Sequence, residues 1–284
     1  MKHLVIGGDG LIGKALASIL CYQGKDVIRT SRRQNSLATG AVWLDLANVP
    51  DNWRPQEICE VTYFCAGVSR YQTCRENPDA SRRVNVVNTL KIATRLVEAG
   101  TFLIYLSTNA VFDGNAPYRR TSDPVAPKTE YGRQKVEAEC QLLKLGRLVS
   151  VLRLTKVFPE RPPLLMNWIS SLQRHEAIHP FYDLTCAPLP LEEVVKALIA
   201  LGEEKRAGIW HLSGDRDVSY ADLVGHLASS LGLDLNLVQP CSVRDSHHYA
   251  EHVPTYTSLD CSLLEGELGL PAPNVWQTLK SLVE

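Results

Sequence analysis

A short apolar run closed by three regularly spaced glycines constrains this chain more than any other stretch. Leu4-Val5-Ile6 reads as a buried strand, Gly7, Gly10 and Gly13 follow, and Lys14 to Leu20 reads as a helix with one apolar face. Strand, tight turn and helix in this order form the first unit of a dinucleotide-binding fold. Gly7 would let the chain turn sharply. Gly10 would let the backbone approach a pyrophosphate without a Cβ in the way, and Gly13 would let the helix pack closely on the strand. The N–H groups and positive dipole end of the helix would then face the phosphates. The alternative is an ordinary glycine-rich turn. The position directly after a strand, and the strand–helix alternation downstream, favour the dinucleotide unit.

Bulk properties exclude several classes. The 284 residues suffice for one large α/β domain, or a domain with a smaller lobe. A net charge of −1, with no basic tail or like-charge block, offers no field for nucleic acid or an anionic membrane, so neither is an expected partner. No apolar run approaches a membrane span, and Val194 to Leu201 is broken by Lys196. Met1-Lys2-His3 leads straight into the first strand with no signal peptide. The eight cysteines are scattered without a CxxC pair. Both features point to a cytoplasmic protein with reduced thiols.

Sites of this kind that prefer NAD place Asp or Glu near the end of the second strand, to bind the ribose 2′-hydroxyl. Here Asp26 to Thr30 is that strand, and Ser31, Arg32 and Arg33 follow. A hydroxyl and guanidinium groups would bind a 2′-phosphate that an acid would repel, so NADP is expected over NAD; the alternative is a solvated basic loop. Ala41 to Leu44 reads as the third strand and delivers Asp45, which either accepts a hydrogen bond from an adenine amino group or is a loop residue. Val61 to Phe64 is the fourth strand. The small residues Cys65-Ala66-Gly67 after it leave room for a cofactor to cross the strand ends.

Asn77-Pro78 opens a long helix, with Asn as N-cap and Pro at the first helical position, and Gly100 ends it. Val84, Val87, Leu90, Ala93 and Val97 recur in it at helical spacing. Asn85 and Asn88 lie inside, where asparagine is a poor helix former; this implies a packing or hydrogen-bonding role, or exposure. Phe102 to Leu106 is the fifth strand and delivers Ser107-Thr108-Asn109 to the carboxyl edge, where such sheets bind ligands. A proline-containing loop then leads to a helix over 130–139. It carries Tyr131 and Lys135, four apart and therefore on one face. Such a pair arises easily by chance among ten tyrosines; it gains weight from Thr108 and the glycine turn.

Val149 to Leu154 reads as the sixth strand, after which Phe158 to Pro163 breaks the regularity. The expected fold class is α/β, a Rossmann-type doubly wound parallel sheet with a smaller C-terminal substrate-binding lobe. The division runs 1–157 for the NADP-binding domain and 158–284 for the C-terminal part. Within the latter, 190–234 packs back on the main sheet through a strand at Gly208 to Leu212. Ser219-Tyr220-Ala221-Asp222 resembles a capping box. His247, His248 and His252 form the sole histidine cluster; with no third ligand placed by spacing, a polar loop is the better reading and no metal is expected.

These motifs together resemble the extended short-chain dehydrogenase/reductase superfamily over nearly the whole chain. Residues 7–13 are similar to its glycine turn, and Tyr131-Gly132-Arg133-Gln134-Lys135 to its YxxxK. Within the superfamily the likeness is to the dTDP-4-dehydrorhamnose reductase group. Ser107 to Gly114 is close to that group's STDYVFDG, Gly208 to Gly214 looks like its GIYHLAG, and Pro254 to Asp260 looks like its RPxxSxLD. The resemblance implies Thr108, Tyr131 and Lys135 as the catalytic set. For the cofactor it implies Gly7, Gly10, Leu11, Ile12, Gly13, Ser31, Arg32, Arg33, Asp45, Leu46, Cys65, Ala66, Gly67, Asn85, Lys135, Val157 and Phe158. Ser69, Asn109 and Asn167 are implied for the substrate.

The chain departs from the group at Asn109, where Asp is common, and at Lys156, where an aromatic residue is common. Tyr182 to Pro188 is a poor match to its DQxGxPT. These departures bear on the sugar rather than the cofactor. The expected activity is NADPH-dependent reduction of a carbonyl in a sugar nucleotide, with a homodimer as one possible state. The alternatives are an NAD(P)-dependent epimerase or dehydratase of the same superfamily, and a non-catalytic NADP-binding regulatory subunit such as the β subunit of methionine adenosyltransferase, which resembles the same group.

Overall fold

The structure is a computed structural model and describes residues 2–33, 35, 40–54, 57–245 and 252–283. Among these, seven strands form one sheet: β1 (Lys2–Ile6), β2 (Asp26–Ser31), β3 (Val42–Trp43), β4 (Val61–Phe64), β5 (Phe102–Thr108), β6 (Val149–Leu154) and a later strand at Gly208–Leu212. Their spatial order is β3-β2-β1-β4-β5-β6 and then the Gly208–Leu212 strand. The order reverses between β1 and β4, and both β2 and β4 pair with β1 in parallel. That reversal opens a crevice at the carboxyl ends of the strands. β4 and β5 are buried along their whole lengths, which is why both are mostly apolar, with Thr62 in β4 and Ser107-Thr108 at the end of β5 as the exceptions.

The helices on this sheet are α1 (Leu11–Tyr22), α2 (Tyr71–Glu76), α3 (Pro78–Arg82), α4 (Thr89–Glu98) and α5 (Glu130–Leu142). The short α2 was not expected. Asn77 precedes α3 with Pro78 in the first turn, but the Asn77 side chain makes no capping hydrogen bond, contrary to expectation. α3 and α4 are joined through a turn of π-helix, Arg83–Asn88. Asn85 and Asn88 sit in that wider turn and are buried. Thr129 caps α5, its hydroxyl accepting the Gly132 N–H at 3.1 Å.

The chain forms two compact units. The first comprises Met1–Phe112, Pro124–Arg153 and Val194–Trp210, and the second Asp113–Asp123, Leu154–Glu193 and His211–Glu284. The units are therefore interleaved in sequence rather than divided by one cut at 157. The first unit's core includes Ile6, Phe64, Leu96, Leu103, Leu142 and Val151. The second has its own core around Phe158, Leu165, Leu223, Leu227, Val275 and Leu279. In the second unit, Ser219 caps the helix Tyr220–Ser230: its hydroxyl accepts the Asp222 N–H at 3.0 Å and donates to the Asp222 carboxylate at 2.6 Å. No helix among the described residues is long and apolar enough to cross a membrane.

Candidate active site

The glycine turn is built as tightly as its composition implies. Gly7 adopts φ +88°, and a Cβ there would lie 2.9 Å from Ala66. A Cβ on Gly13 would lie 2.3 Å from the Gly7 carbonyl oxygen. Gly13 is thus required by the turn itself rather than by packing on the strand. Gly7 N–H donates to the Thr30 hydroxyl at 3.1 Å, and Gly8 N–H to the Thr30 carbonyl at 3.0 Å. Gly10 is the N-cap of α1, and no side chain caps that helix end.

Beside this turn lies a cavity of about 300 Å³. Ten of the expected cofactor residues line it: Gly7 and Gly10, then Ser31, Arg32 and Arg33, then Asp45 and Leu46, then Cys65, Ala66 and Gly67. Leu11, Ile12 and Gly13 form the first turn of α1 and do not line it. Asp45 is held in a turn, accepting from Ala47 N–H at 3.0 Å and from the Asn48 amide at 3.2 Å. Asn85 acts from behind the wall. Its Oδ1 accepts the Val68 N–H at 2.7 Å, while its Nδ2 donates to the Val68 carbonyl and to Gln134 Oε1, each at 2.9 Å. Asn88 donates to the Leu46 carbonyl at 2.8 Å. The two asparagines therefore hold cavity segments in place through hydrogen bonds.

Thr108 ends β5, and its side chain is near enough to Tyr131 on α5 to oppose the rise in that group's pKa. It also accepts the Ala110 N–H at 3.2 Å and donates to Asn109 Oδ1 at 3.4 Å. The close approach of α5 is set by Gly132, where a Cβ would lie 2.2 Å from the Ala110 carbonyl oxygen. Lys135 lies one turn beyond Tyr131, with its Nζ 6.0 Å from the Tyr131 ring centroid. It is buried and donates to the Tyr105 hydroxyl at 2.8 Å and the Leu106 carbonyl at 2.6 Å. Tyr105 is a site residue that sequence reading missed, because its ring sits in the apolar strand β5. Ser107, read in the sequence only as one of the hydroxyls at the carboxyl edge of β5, has a buried hydroxyl with no hydrogen-bond partner.

Burial dominates the electrostatics here, disfavouring whichever form carries charge. It raises the Tyr131 hydroxyl above its ordinary value, with Tyr71 adding to the rise and Thr108 opposing it. It lowers Lys135 to about 7, against the opposing influence of Glu139 and of Cys65 and Cys74. Cys65, a cavity residue, is itself pushed up to about 12 by burial.

Other expected residues lie elsewhere. Ser69 is exposed in the first unit, and Asn109 bonds Thr108. Val157–Phe158 is a short strand of the second unit that pairs with Leu189–Pro190, and Phe158 is a core residue there. Asn167 is exposed on the helix Pro163–Gln173 of the same unit. His247 and His248 fall outside the described residues; His252 Nε2 is 2.7 Å from the Asp113 carbonyl oxygen.

The sequence model of the RmlD substrate binding domain matches residues 1–284. The chain belongs to that family. Curated relatives span almost all of it. A "Probable low-salt glycan biosynthesis reductase" of Haloferax volcanii is 25% identical, over 99% of this chain and 97% of that protein. Methionine adenosyltransferase 2 subunit beta of Bos taurus is 26% identical, over 93% and 81%. The dTDP-4-dehydrorhamnose reductase of Aggregatibacter actinomycetemcomitans is 24% identical, over 97% and 96%.

Solved structures share the fold. That of a dTDP-4-dehydrorhamnose reductase from Clostridium acetobutylicum has a TM-score of 0.85 at 23% identity, covering 99% of this chain and 97% of that one. That of the Bacillus anthracis reductase in complex with NADP has a TM-score of 0.84 at 19% identity, covering 98% and 96%. MoeE5 in complex with UDP-glucose and NAD has a TM-score of 0.80 at 20% identity, covering 99% and 97%. Members of this extended short-chain dehydrogenase/reductase family thus include reductases, and both NADP and NAD occur among the structural neighbours.

Proposed function

We propose that the chain is an NADPH-dependent reductase of a carbonyl in a sugar nucleotide, with Tyr131 as proton donor. The observation that carries this is the placing of Tyr131 and Lys135 one turn apart on α5, with the Lys135 Nζ 6.0 Å from the Tyr131 ring centroid. In the same unit lies a cavity walled by the glycine turn and by Arg32 and Arg33.

The residues fit a dinucleotide. Gly7 and Gly13 leave a turn in which a Cβ has no room, and the helix end beyond it has no side-chain cap, so its N–H groups suit a pyrophosphate. Arg32 and Arg33 are exposed at the end of β2 and suit a 2′-phosphate. The orphan Ser107 hydroxyl suits a polar ligand group. A bound nicotinamide dinucleotide supplies the hydride.

The chain's own groups do the rest. Thr108 orients the substrate oxygen by a hydrogen bond. Tyr131 gives its proton to the oxygen that gains negative charge. Lys135, when protonated, stabilises the resulting tyrosinate and binds ribose hydroxyls. The raised Tyr131 value means the proton is present at neutral pH, ready to be donated. Screening keto-sugar nucleotides for NADPH oxidation tests this reading; a chain that binds NADPH and reduces none of them fails it.

A second reading, a non-catalytic dinucleotide-binding subunit, is favoured by the resemblance to methionine adenosyltransferase 2 subunit beta. It predicts NADPH binding without oxidation by any keto-sugar nucleotide.

A further inference from the structure

Asp9 lies in the middle of the glycine turn and lines the cavity together with Ser31, Arg32 and Arg33. The Ser31 hydroxyl donates to the Asp9 carboxylate and accepts the Arg33 N–H at 2.8 Å. Ser31 is buried, whereas Arg32 and Arg33 are exposed. The hydroxyl that a 2′-phosphate would use is therefore already committed to an acid. In dinucleotide folds the acid that accepts the ribose 2′-hydroxyl usually comes from the end of the second strand. Here that strand ends in Ser31, and a carboxylate reaches it from the glycine turn instead.

We propose that Asp9 is the specificity-determining residue for the adenosine ribose: its carboxylate accepts the 2′-hydroxyl of NADH and opposes the 2′-phosphate of NADPH. Arg32 and Arg33 then confer a smaller preference for the phosphate than their charge alone would give. The proposal rests on the dinucleotide reading above. It adds that cofactor choice is a balance between one acid in the turn and two exposed cations. Two like charges in a partly enclosed cavity repel far more than they would in bulk water.

The test is fluorescence titration of the full chain with NADPH and with NADH at low ionic strength, comparing wild type, Asp9→Asn and Asp45→Asn. Asp9→Asn is expected to tighten NADPH at least about tenfold without tightening NADH. Asp9→Ser, also neutral and able to bond Ser31, is expected to give the same shift, and serves if Asp9→Asn does not fold. An unchanged ratio of the two dissociation constants in a folded Asp9 variant overturns the proposal. An equal shift in Asp45→Asn also overturns it, because the effect would then belong to cavity charge in general. Wild-type protein that binds neither nucleotide fails the dinucleotide reading itself, an outcome distinct from an unchanged ratio.

Discussion

Tyr131 and Lys135 move in opposite directions for one reason: Lys135 is buried and Tyr131 half-buried, and loss of water penalises the charged form of each. The spacing of the two residues was legible in the sequence; their protonation was not, because it depends on what surrounds them. Tyr131→Phe should lower turnover by about 10²- to 10⁴-fold while leaving NADPH affinity nearly unchanged. Steady-state kinetics beside a binding titration measures both, and unaltered turnover would remove Tyr131 from the chemistry. Tyr105 governs its neighbour. Its hydroxyl accepts from the Lys135 ammonium, which is also faced by Tyr131 and Glu139 on α5, by Cys65 after β4 and by Cys74 on α2. NADPH affinity is therefore expected to weaken as pH rises through about 7 and the ammonium is lost. Tyr105→Phe removes one acceptor and should move that transition to lower pH. A transition that stays in place would show that Tyr105 does not hold the ammonium.

The elements that shape the site differ in how plainly the sequence announces them. β4 and β5 are mostly apolar because both are fully buried, and the glycine turn is explicit because its backbone leaves no space for a Cβ. The π-helical turn at Arg83–Asn88 is invisible to a search at helical spacing. Asn85 and Asn88 hinted at it only by being poor helix formers. The helix Tyr71–Glu76 is too short to show a period, and Tyr105 looked like one more apolar strand residue. Asn85 ties the segment after β4 to α5 through Val68 and Gln134. Asn85→Ala leaves buried backbone and amide groups without partners, and should cost about 1–3 kcal/mol in urea unfolding. It should also weaken NADPH binding, since Gly67 and Val68 line the cavity. A loss of stability with no change in affinity would make Asn85 purely architectural.

At the scale of the molecule, each unit has its own core, and the candidate chemistry and its cavity lie in the first. The family was legible in five ordered motifs, whereas the interleaving of the units was not, since it depends on contacts far apart in sequence. The buried Lys135 has a consequence for the whole fold. Its value is about 7 in the folded protein against 10.5 when exposed, so between these the unfolded chain binds more protons. The destabilisation is complete below pH 7 and fades as pH rises toward 10.5; at about 1.4 kcal/mol per pH unit it amounts to several kcal/mol. Lys135→Met should therefore raise Tm below pH 7, with an advantage that narrows toward pH 10. A Tm difference independent of pH would contradict a buried ammonium.

The central claim, a dinucleotide site serving a carbonyl reductase, is tested most directly by titrating the purified chain with NADPH and NADH and following fluorescence. Saturable binding of both, with NADPH the tighter, is the predicted result. Binding of neither would contradict the account and leave a chain that keeps the fold without its chemistry.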